Sequence, residues 1–167
     1  MLEARDVLYV LEQHKDKPVE LEAKALRLAG QLLDLCYKTS KSNKNGEEEA
    51  KKILQSGDAL KKFKEIIREQ GGDSEVTSES LKFTNHKHDI KAQKRGKIRS
   101  IENFNLNTVA RILGAPKDVQ AGVYMHKKTG DQVNSEDVIM TLYAKDQLKF
   151  KEAVDTLETF PIYEIEK

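Results

Sequence analysis

Two histidines separated by one residue, His86 and His88, are the first candidates for chemistry in this chain of 167 residues. Side chains two positions apart on a β-strand point to the same face, so this pair could hold a metal ion. Zinc sites take three or four protein ligands, and no further histidine, cysteine or carboxylate stands at a suitable spacing. An exposed loop is therefore the favoured interpretation, and a metal site is the alternative.

The segment 87–99 is strongly basic. Its only acid is Asp89, and its cations are Lys87, Lys91, Lys94, Arg95, Lys97 and Arg99. A basic hairpin of this kind could grip phosphate groups. It has no aromatic side chain on which a base could stack, which weakens the nucleic-acid hypothesis. A solvated strand face is favoured, and a small nucleic-acid-binding module is the alternative.

The single cysteine, Cys36, excludes an internal disulfide. It follows Leu32 and Leu33 in an apolar helical stripe, so we expect a small, buried core residue. Gly71–Gly72 follows a helix rather than a strand and has no phosphate-loop spacing. His126 is predicted to be a structural residue of a strand. The residues alone thus indicate a binding or structural domain rather than a self-sufficient enzyme.

Composition narrows the class of protein further. Hydrophobic residues make up 38% and charged residues 34%, which is typical of a globular chain with a charged surface. The net charge of +1 gives no field that would draw nucleic acid or acidic membranes. No apolar run approaches the length of a membrane span, and the N-terminus has no signal-peptide core. We expect a cytoplasmic protein without a membrane partner.

Residues 1–72 have helical spacing throughout. Lys17-Pro18 breaks the first helix, and a polar stretch, 38–46, ends the second. The second helix carries a three-four apolar stripe of Leu21, Ala25, Leu28, Leu32 and Leu35. A third helix is predicted over 47–54. A fourth begins at Asp58 as N-cap, ends at Gly71-Gly72, and buries Leu60, Phe63 and Ile67.

Residues 73–86 are polar and are predicted to be a linker, whereas 87–167 alternates between strand and helix patterns. The predicted strands lie around Gly96, at 123–126, at 138–144 and at 162–165, and the predicted helices lie at 105–113 and around Phe150 to Leu157. The second half should therefore be α+β. Because each half is near the size at which a lone core is marginal, we expect the halves to pack together or against something the chain does not contain.

Six stretches, spread over nearly the whole chain, carry motifs in a fixed order. They are Leu2–Leu8, Ile53–Phe63, Gln70–Asp73, Gly114–Asp118, Ala121–Val133 and Thr141–Ala144. Together they resemble the C-terminal part of the thymidine/pyrimidine-nucleoside phosphorylase family. The short stretch 114–122 is most similar to the archaeal AMP-phosphorylase branch, because the bacterial pyrimidine enzymes usually have a longer insertion there.

The resemblance implies a fold and an activity. The expected fold is α+β: a helical segment of the large domain (1–72), a linker (73–86) and a small α/β hammerhead, barrel-sandwich-like domain (87–167). The full-length enzyme would convert AMP and phosphate to adenine and ribose 1,5-bisphosphate. A thymidine or pyrimidine-nucleoside phosphorylase is the alternative. Phosphate is a co-substrate, no cofactor is expected, and the full-length enzyme is expected to be a homo-oligomer.

The resemblance also bears on site residues. In the family, the residues that bind phosphate and base precede the helix that matches Leu2–Leu8, so we expect neither catalytic nor substrate-binding residues in this chain. We also expect no phosphorolysis by the chain alone. Asp6 matches a family ligand of a monovalent cation and is the one metal candidate, although aspartate is shorter than the usual glutamate. Glu136 stands where the family usually has a glycine, so it is either strained or relieved by a turn through Asn134.

A carrier domain of the biotinyl/lipoyl kind is a further alternative. The stretch Lys128–Val133, followed by Leu142–Ala144, resembles the hairpin region of such domains. A carrier needs a modified lysine at an exposed hairpin tip, and Lys145 is near that place.

Overall fold

A computed structural model describes residues 1–40, 44–83 and 86–166. In these residues the fold is α+β as predicted, with helices first and mixed strands and helices afterwards. The chain divides into two compact units: Glu3–Leu81, here called the helical unit, and Lys82–Lys167 with Met1–Leu2, here called the mixed unit. The predicted polar stretch and linker include 41–43 and 84–85, which lie outside the described residues, as does Lys167.

The described part of the helical unit contains four helices: α1 (Leu2–Leu11), α2 (Val19–Thr39), α3 (Gly46–Gln55) and α4 (Asp58–Glu69). Pro18 is the residue before α2, as the sequence predicts. The turn between α1 and α2 is fastened by Glu22, whose carboxylate accepts hydrogen bonds from Lys17 at 2.7 Å and from Gln13 at 3.2 Å. Burial raises the pKa of Glu22, but these hydrogen bonds outweigh burial and leave the pKa below its usual value.

Two glycines set the contact between α2 and α3. A Cβ on Gly46 would lie 2.1 Å from the carbonyl oxygen of Gly30, and one on Gly30 would lie 2.7 Å from Cα of Glu47. The backbones thus touch where no larger residue fits. The N–H of Gly46 donates to Asp34 of α2 at 2.7 Å, and the N–H of Glu48 donates to the side chain of Asn45 at 3.0 Å. The start of α3 is therefore both capped and held against α2.

Several sequence-based predictions for the helical unit are wrong. Leu60, Phe63 and Ile67 are half-buried rather than buried. The N-cap of α4 is Gly57, in the left-handed conformation at φ 83°, and no side chain caps the helix. Asp58 instead begins the helix and accepts from the hydroxyl of Ser56 at 2.8 Å.

Cys36 and its apolar stripe also differ from the prediction. Cys36 is exposed rather than buried, and Leu21, Leu28, Leu32 and Leu35 are exposed with it. The physical reason is that α3 packs against the glycine side of α2, which leaves the leucine side uncovered by the described residues. None of the helices in the described parts is long and apolar enough to cross a bilayer.

The predicted linker has an anchor that the sequence analysis missed. Ser78 is buried, and both its N–H, at 3.0 Å, and its hydroxyl donate to the carboxylate of Glu12 at the end of α1. Gly71, at φ 77°, closes the end of α4 in the left-handed conformation as predicted.

In its described residues, the mixed unit has six short strands and two helices. These are β1 (Lys87–Lys91), β2 (Gly96–Ile101), α5 (Asn103–Leu113), β3 (Gly122–Met125), β4 (Gln132–Val133), β5 (Val138–Tyr143), α6 (Gln147–Thr159) and β6 (Tyr163–Glu166). The strands form two antiparallel three-stranded sheets, ordered β1-β5-β3 and β4-β2-β6. The barrel-sandwich-like arrangement stays a prediction.

One closed core joins the two sheets and both helices. Its fully buried side chains include Ile98 of β2, Val109 and Leu113 of α5, and Leu142 of β5. The hydroxyl of Tyr163 on β6 lies 3.0 Å from the carbonyl oxygen of Ile139 on β5 and 2.9 Å from that of Lys127. Burial raises the pKa of Tyr163 to about 12, so this polar link between the sheets stays neutral.

Glu136 is the strained residue of the mixed unit. Its φ is 74°, in the left-handed region, and Asn134 is not used in its place. The N–H of Glu136 donates to the carbonyl of Ala92 at 2.9 Å, which holds this conformation at the turn before β5. The positive φ at Glu136 is therefore confirmed, and relief through Asn134 is wrong.

Gly46→Ala should destabilise the helical unit. Alanine is the better helix former by about 1 kcal/mol, but its methyl group would overlap the backbone of α2, and overpacking of this kind costs about 1–3 kcal/mol. We expect faster amide hydrogen exchange in α2 and α3 of the full chain and a lower thermal midpoint at 222 nm. Lys52→Ala, at an exposed position of α3, is the control. A Gly46→Ala protein as stable as the original would contradict the backbone contact.

Glu136→Gly should stabilise the mixed unit. Glycine removes a left-handed penalty of about 1–2 kcal/mol and gains some entropy in the unfolded chain, leaving a net gain of about 0.5–1 kcal/mol. Denaturant unfolding, followed by NMR signals of β5, measures this gain. Glu136→Gln is the control, because it removes only the exposed ion pair with Lys91, which contributes little. A loss of stability in Glu136→Gly would show that the turn carries no strain.

Candidate functional site

Asp6, the predicted cation ligand, lies on α1 next to a guanidinium group. Arg5 Nη2 is 3.4 Å from Asp6 Oδ1, and the Arg5 guanidinium lies 5.6 Å from the centre of the Tyr9 ring. The carboxylate thus has a cationic side chain as its nearest charged partner. Within residues 1–40, 44–83 and 86–166, no three side chains of histidine, cysteine, aspartate or glutamate come together as metal ligands would. The role of Asp6 stays a prediction.

His86 and His88 stand at the start of β1. Nδ1 of His86 lies 3.0 Å from the carbonyl oxygen of Lys145, and the ring of His88 lies 6.4 Å from that of Phe150. Both histidines are exposed. The structure gives each ring a neighbour from the β5–α6 segment, and it brings no third ligand from the described residues to the pair.

The basic segment 87–99 is not a hairpin, and that part of the prediction is wrong. β1 pairs with β5, whereas β2 pairs with β4 and β6, so the two strands belong to different sheets. Its cations are exposed, as a solvated strand face requires. Two of them form ion pairs of 3.2 Å, Lys91 with Glu136 and Arg99 with Glu164.

Lys145 does not occupy a hairpin tip. It lies between β5 and α6, and its Nζ is 3.2 Å from Oδ1 of Asp118. A carrier lysine must extend freely from a hairpin, so this position argues against the biotinyl/lipoyl alternative.

A cationic cleft surrounds this ion pair and was missed by the sequence analysis. Its charged lining consists of Arg111, Lys117, Asp118, Lys145 and Lys149. The N–H of Gln120 donates to Asp118 at 3.0 Å, and this hydrogen bond is the main reason that the pKa of the Asp118 carboxyl group is lowered. Burial raises that pKa, and Lys145 lowers it further. The sequence offered one signal for this cleft: Asp118 stands four residues after Gly114, beyond the turn that ends a helix.

A second polar group spans the sheet β1-β5-β3. The hydroxyl of Thr141 donates to Oδ1 of Asp89 at 2.6 Å and lies 2.8 Å from Nε2 of His126. Since the only hydroxyl hydrogen goes to Asp89, the oxygen of Thr141 accepts from His126, and Nε2 carries the proton. Thr141 is only 3% exposed, so the network fixes the ring of His126 from inside the sheet. His126 was predicted to lie in a strand, but β3 ends at Met125 and His126 follows it.

The polar groups of these two sites contact one another. Asp118 is paired with Lys145, and Asp89 and His126 meet at Thr141. A nucleophile aligned with a general base is not found among the polar contacts of the described residues. The sequence analysis named His126 and Lys145 but did not connect either to its partner, because the partners come from distant strands and loops.

Comparison with known proteins identifies the relatives of this chain. Residues 97–163, from β2 to the start of β6, match the family model of the pyrimidine nucleoside phosphorylase C-terminal domain. The chain is 39% identical over 164 residues to AMP phosphorylase 2 of Archaeoglobus fulgidus and 39% identical over 162 residues to AMP phosphorylase of Methanosarcina barkeri. These matches cover 98% and 96% of this chain but 31% of each relative.

The similarity extends across both units. A third relative, AMP phosphorylase of Methanococcus aeolicus, is 36% identical over 162 residues, which is 96% of this chain and 32% of the relative. The chain thus spans about a third of the length of the curated relatives it matches. It belongs to the pyrimidine nucleoside phosphorylase family, and its mixed unit carries the C-terminal domain of that family.

Replacing Lys145 by methionine should raise the pKa of the Asp118 carboxyl group. The pKa should nevertheless stay below its ordinary value, because the larger effect, the hydrogen bond from the N–H of Gln120, remains. A pH titration of the carboxyl signal by NMR measures both. Because the pKa of Asp118 is lowered in the folded state, the stability that this carboxylate contributes is present above its unfolded pKa and is lost as the pH falls. The Lys145→Met protein should lose less of its unfolding free energy over the same fall in pH.

Lys117→Met is the matched control for that titration. It removes a cation from the same cleft, and the largest effects on the pKa of Asp118 come from Gln120, burial, Lys145 and Lys149. An Asp118 pKa that is the same in the Lys145→Met and Lys117→Met proteins would contradict the ion pair.

Proposed function

We propose that this chain is the C-terminal part of an AMP phosphorylase, an enzyme that splits AMP with inorganic phosphate into adenine and ribose 1,5-bisphosphate. The observation that carries the proposal is 39% identity over 98% of the chain to a protein named AMP phosphorylase 2. The family-model match to residues 97–163 supports the C-terminal assignment.

In this proposal the chain supports the catalytic cleft and does not perform the chemistry. The helical unit is part of the large domain, and residues 87–167 are the C-terminal lobe that helps to close the cleft. Phosphate attacks the anomeric carbon as the base departs, and groups outside this chain stabilise the charge that develops. The enzyme needs no cofactor, acts as a homo-oligomer and is cytoplasmic; the single cysteine supports the last point.

A thymidine or pyrimidine-nucleoside phosphorylase is the second candidate. It is favoured by the family model, whose name refers to pyrimidine nucleosides. The relatives reported above are all AMP phosphorylases, which favours the first candidate.

A chimeric enzyme tests the proposal. The region of the Archaeoglobus fulgidus AMP phosphorylase 2 that matches this chain is replaced by the whole chain, and adenine release from AMP and phosphate is measured by chromatography. We expect activity within about tenfold of the parent enzyme, which is about 1.4 kcal/mol in the activation barrier. The chain by itself should release no adenine.

Two controls decide between the candidates. The parent enzyme without its matched region should be inactive, which shows that this region is needed. A second chimera is built on a thymidine phosphorylase and assayed for thymine release. Activity of the second chimera together with a folded but inactive first chimera would favour the pyrimidine alternative, and adenine release by the chain alone would overturn the assignment of the chemistry to other residues.

A further inference from the structure

One side of α2 is apolar and exposed. Leu28, Leu32 and Leu35 are 53%, 64% and 61% exposed, and Leu21 is also exposed. We call these four residues the leucine face. Contiguous exposed apolar patches are unusual on a monomer and mark a surface that another element covers.

The position of the leucine face follows from the contact between α2 and α3. At 3.6 residues per turn, all four leucines lie within about 40° of the direction opposite Gly30. Gly30 is the point at which the backbone of α3 touches α2. The tight glycine contact therefore turns the leucines away from α3.

The two units differ in how much of their apolar surface they bury themselves. The mixed unit has a closed core that includes Ile98, Leu113 and Leu142. In the helical unit, by contrast, the buried apolar side chains of the described residues are Leu8, Val10, Ala50 and Leu54. The helical unit thus leaves more of its large apolar side chains exposed than it buries.

We propose that the leucine face is covered by a helix from the part of a phosphorylase that this chain does not match. The three relatives reported above have 31–32% of their length in the match, so a large remainder is available to supply that helix. Leu21, Ala25, Leu28, Leu32 and Leu35 are separated alternately by four and three residues. This spacing forms a narrow seam of the kind that receives the side chains of a second helix.

A second copy of this chain fits the face less well. The polar border of the seam carries Lys24, Gln31 and Lys38. If two α2 helices paired in antiparallel orientation with their leucines in register, Lys24 of one copy would approach Lys38 of the other, and the like charges would repel. In parallel pairing the lysines would face Ala29 and the C-terminal end of the helix, without an ion pair. Neither orientation offers an attraction that would select a dimer.

Cys36 reports directly on this surface. It is the only cysteine of the chain, it is exposed, and it follows Leu35 at the border of the leucine face. A covering helix would shield its thiol from alkylating reagents. The inference rests on the proposed function for the origin of the covering helix, but thiol protection is measured independently of activity.

The test compares Cys36 in two proteins. The intact chain and the chimera with AMP phosphorylase 2 are treated with iodoacetamide, and modification of the Cys36 peptide is followed by mass spectrometry against the denatured chain. We expect fast alkylation in the chain and at least about tenfold slower alkylation in the chimera. In the chimera, Leu28→Glu combined with Leu32→Glu should restore fast alkylation and lower the thermal midpoint, whereas in the chain alone the same pair should leave the midpoint unchanged.

Leu148→Glu is the control, because Leu148 is an exposed leucine outside the leucine face, in the mixed unit. It should leave Cys36 alkylation in the chimera slow. Equal alkylation rates in the chain and the chimera would overturn the proposal. Slow alkylation of the chain alone would also overturn it. If that slow rate depended on protein concentration, a second copy would cover the leucine face, and otherwise the chain itself would cover it. Protection of Cys36 without adenine release would support the covered leucine face and refute the proposed function. Adenine release without protection would support the proposed function and refute the covered leucine face.

Discussion

The contact between Gly30 and Gly46 is the constraint on which the helical unit depends. Because neither residue has a side chain, α2 and α3 approach until backbone meets backbone, and Asp34 accepts the N–H of Gly46 at the same point. This contact fixes which side of α2 is covered. It follows that the exposure of the leucine face is a consequence of how α3 packs rather than an accident of surface composition.

The mixed unit depends instead on β5, the central strand of the sheet β1-β5-β3. β5 lies between β1 and β3, its Leu142 is fully buried, and its Thr141 contacts Asp89 on β1 and His126 just past β3. The strained turn at Glu136 lies just before β5, where its N–H bonds to Ala92 after β1. The core of this unit can support such strain because packing and hydrogen bonds on both sides determine the turn.

The order and type of most elements could be predicted from the sequence, because they depend on local signals. Pro18, Gly71 and Gly114 each mark a helix boundary where the sequence placed one. The predictions that failed depended on distant partners. Cys36 was expected in a core because its stripe is apolar, but periodicity cannot tell which side of an apolar helix is covered. The basic segment was expected to be a hairpin, but strand pairing is not local, and β1 and β2 belong to different sheets.

The candidate site was predictable only in outline for the same reason. Resemblance assigned the chemistry to residues outside the chain, and the side chains described here are engaged with one another: Asp6 with Arg5, Asp118 with Lys145, and His126 with Thr141. Each pair joins side chains of the chain to one another, and the partners are what the sequence analysis did not foresee. Identity to AMP phosphorylases extends through the helical unit as well as the mixed unit, although only the mixed unit closes its own core. The proposed covering helix accounts for both observations, because it would bury the apolar side chains that the helical unit leaves exposed and is not needed by the mixed unit, which buries its own.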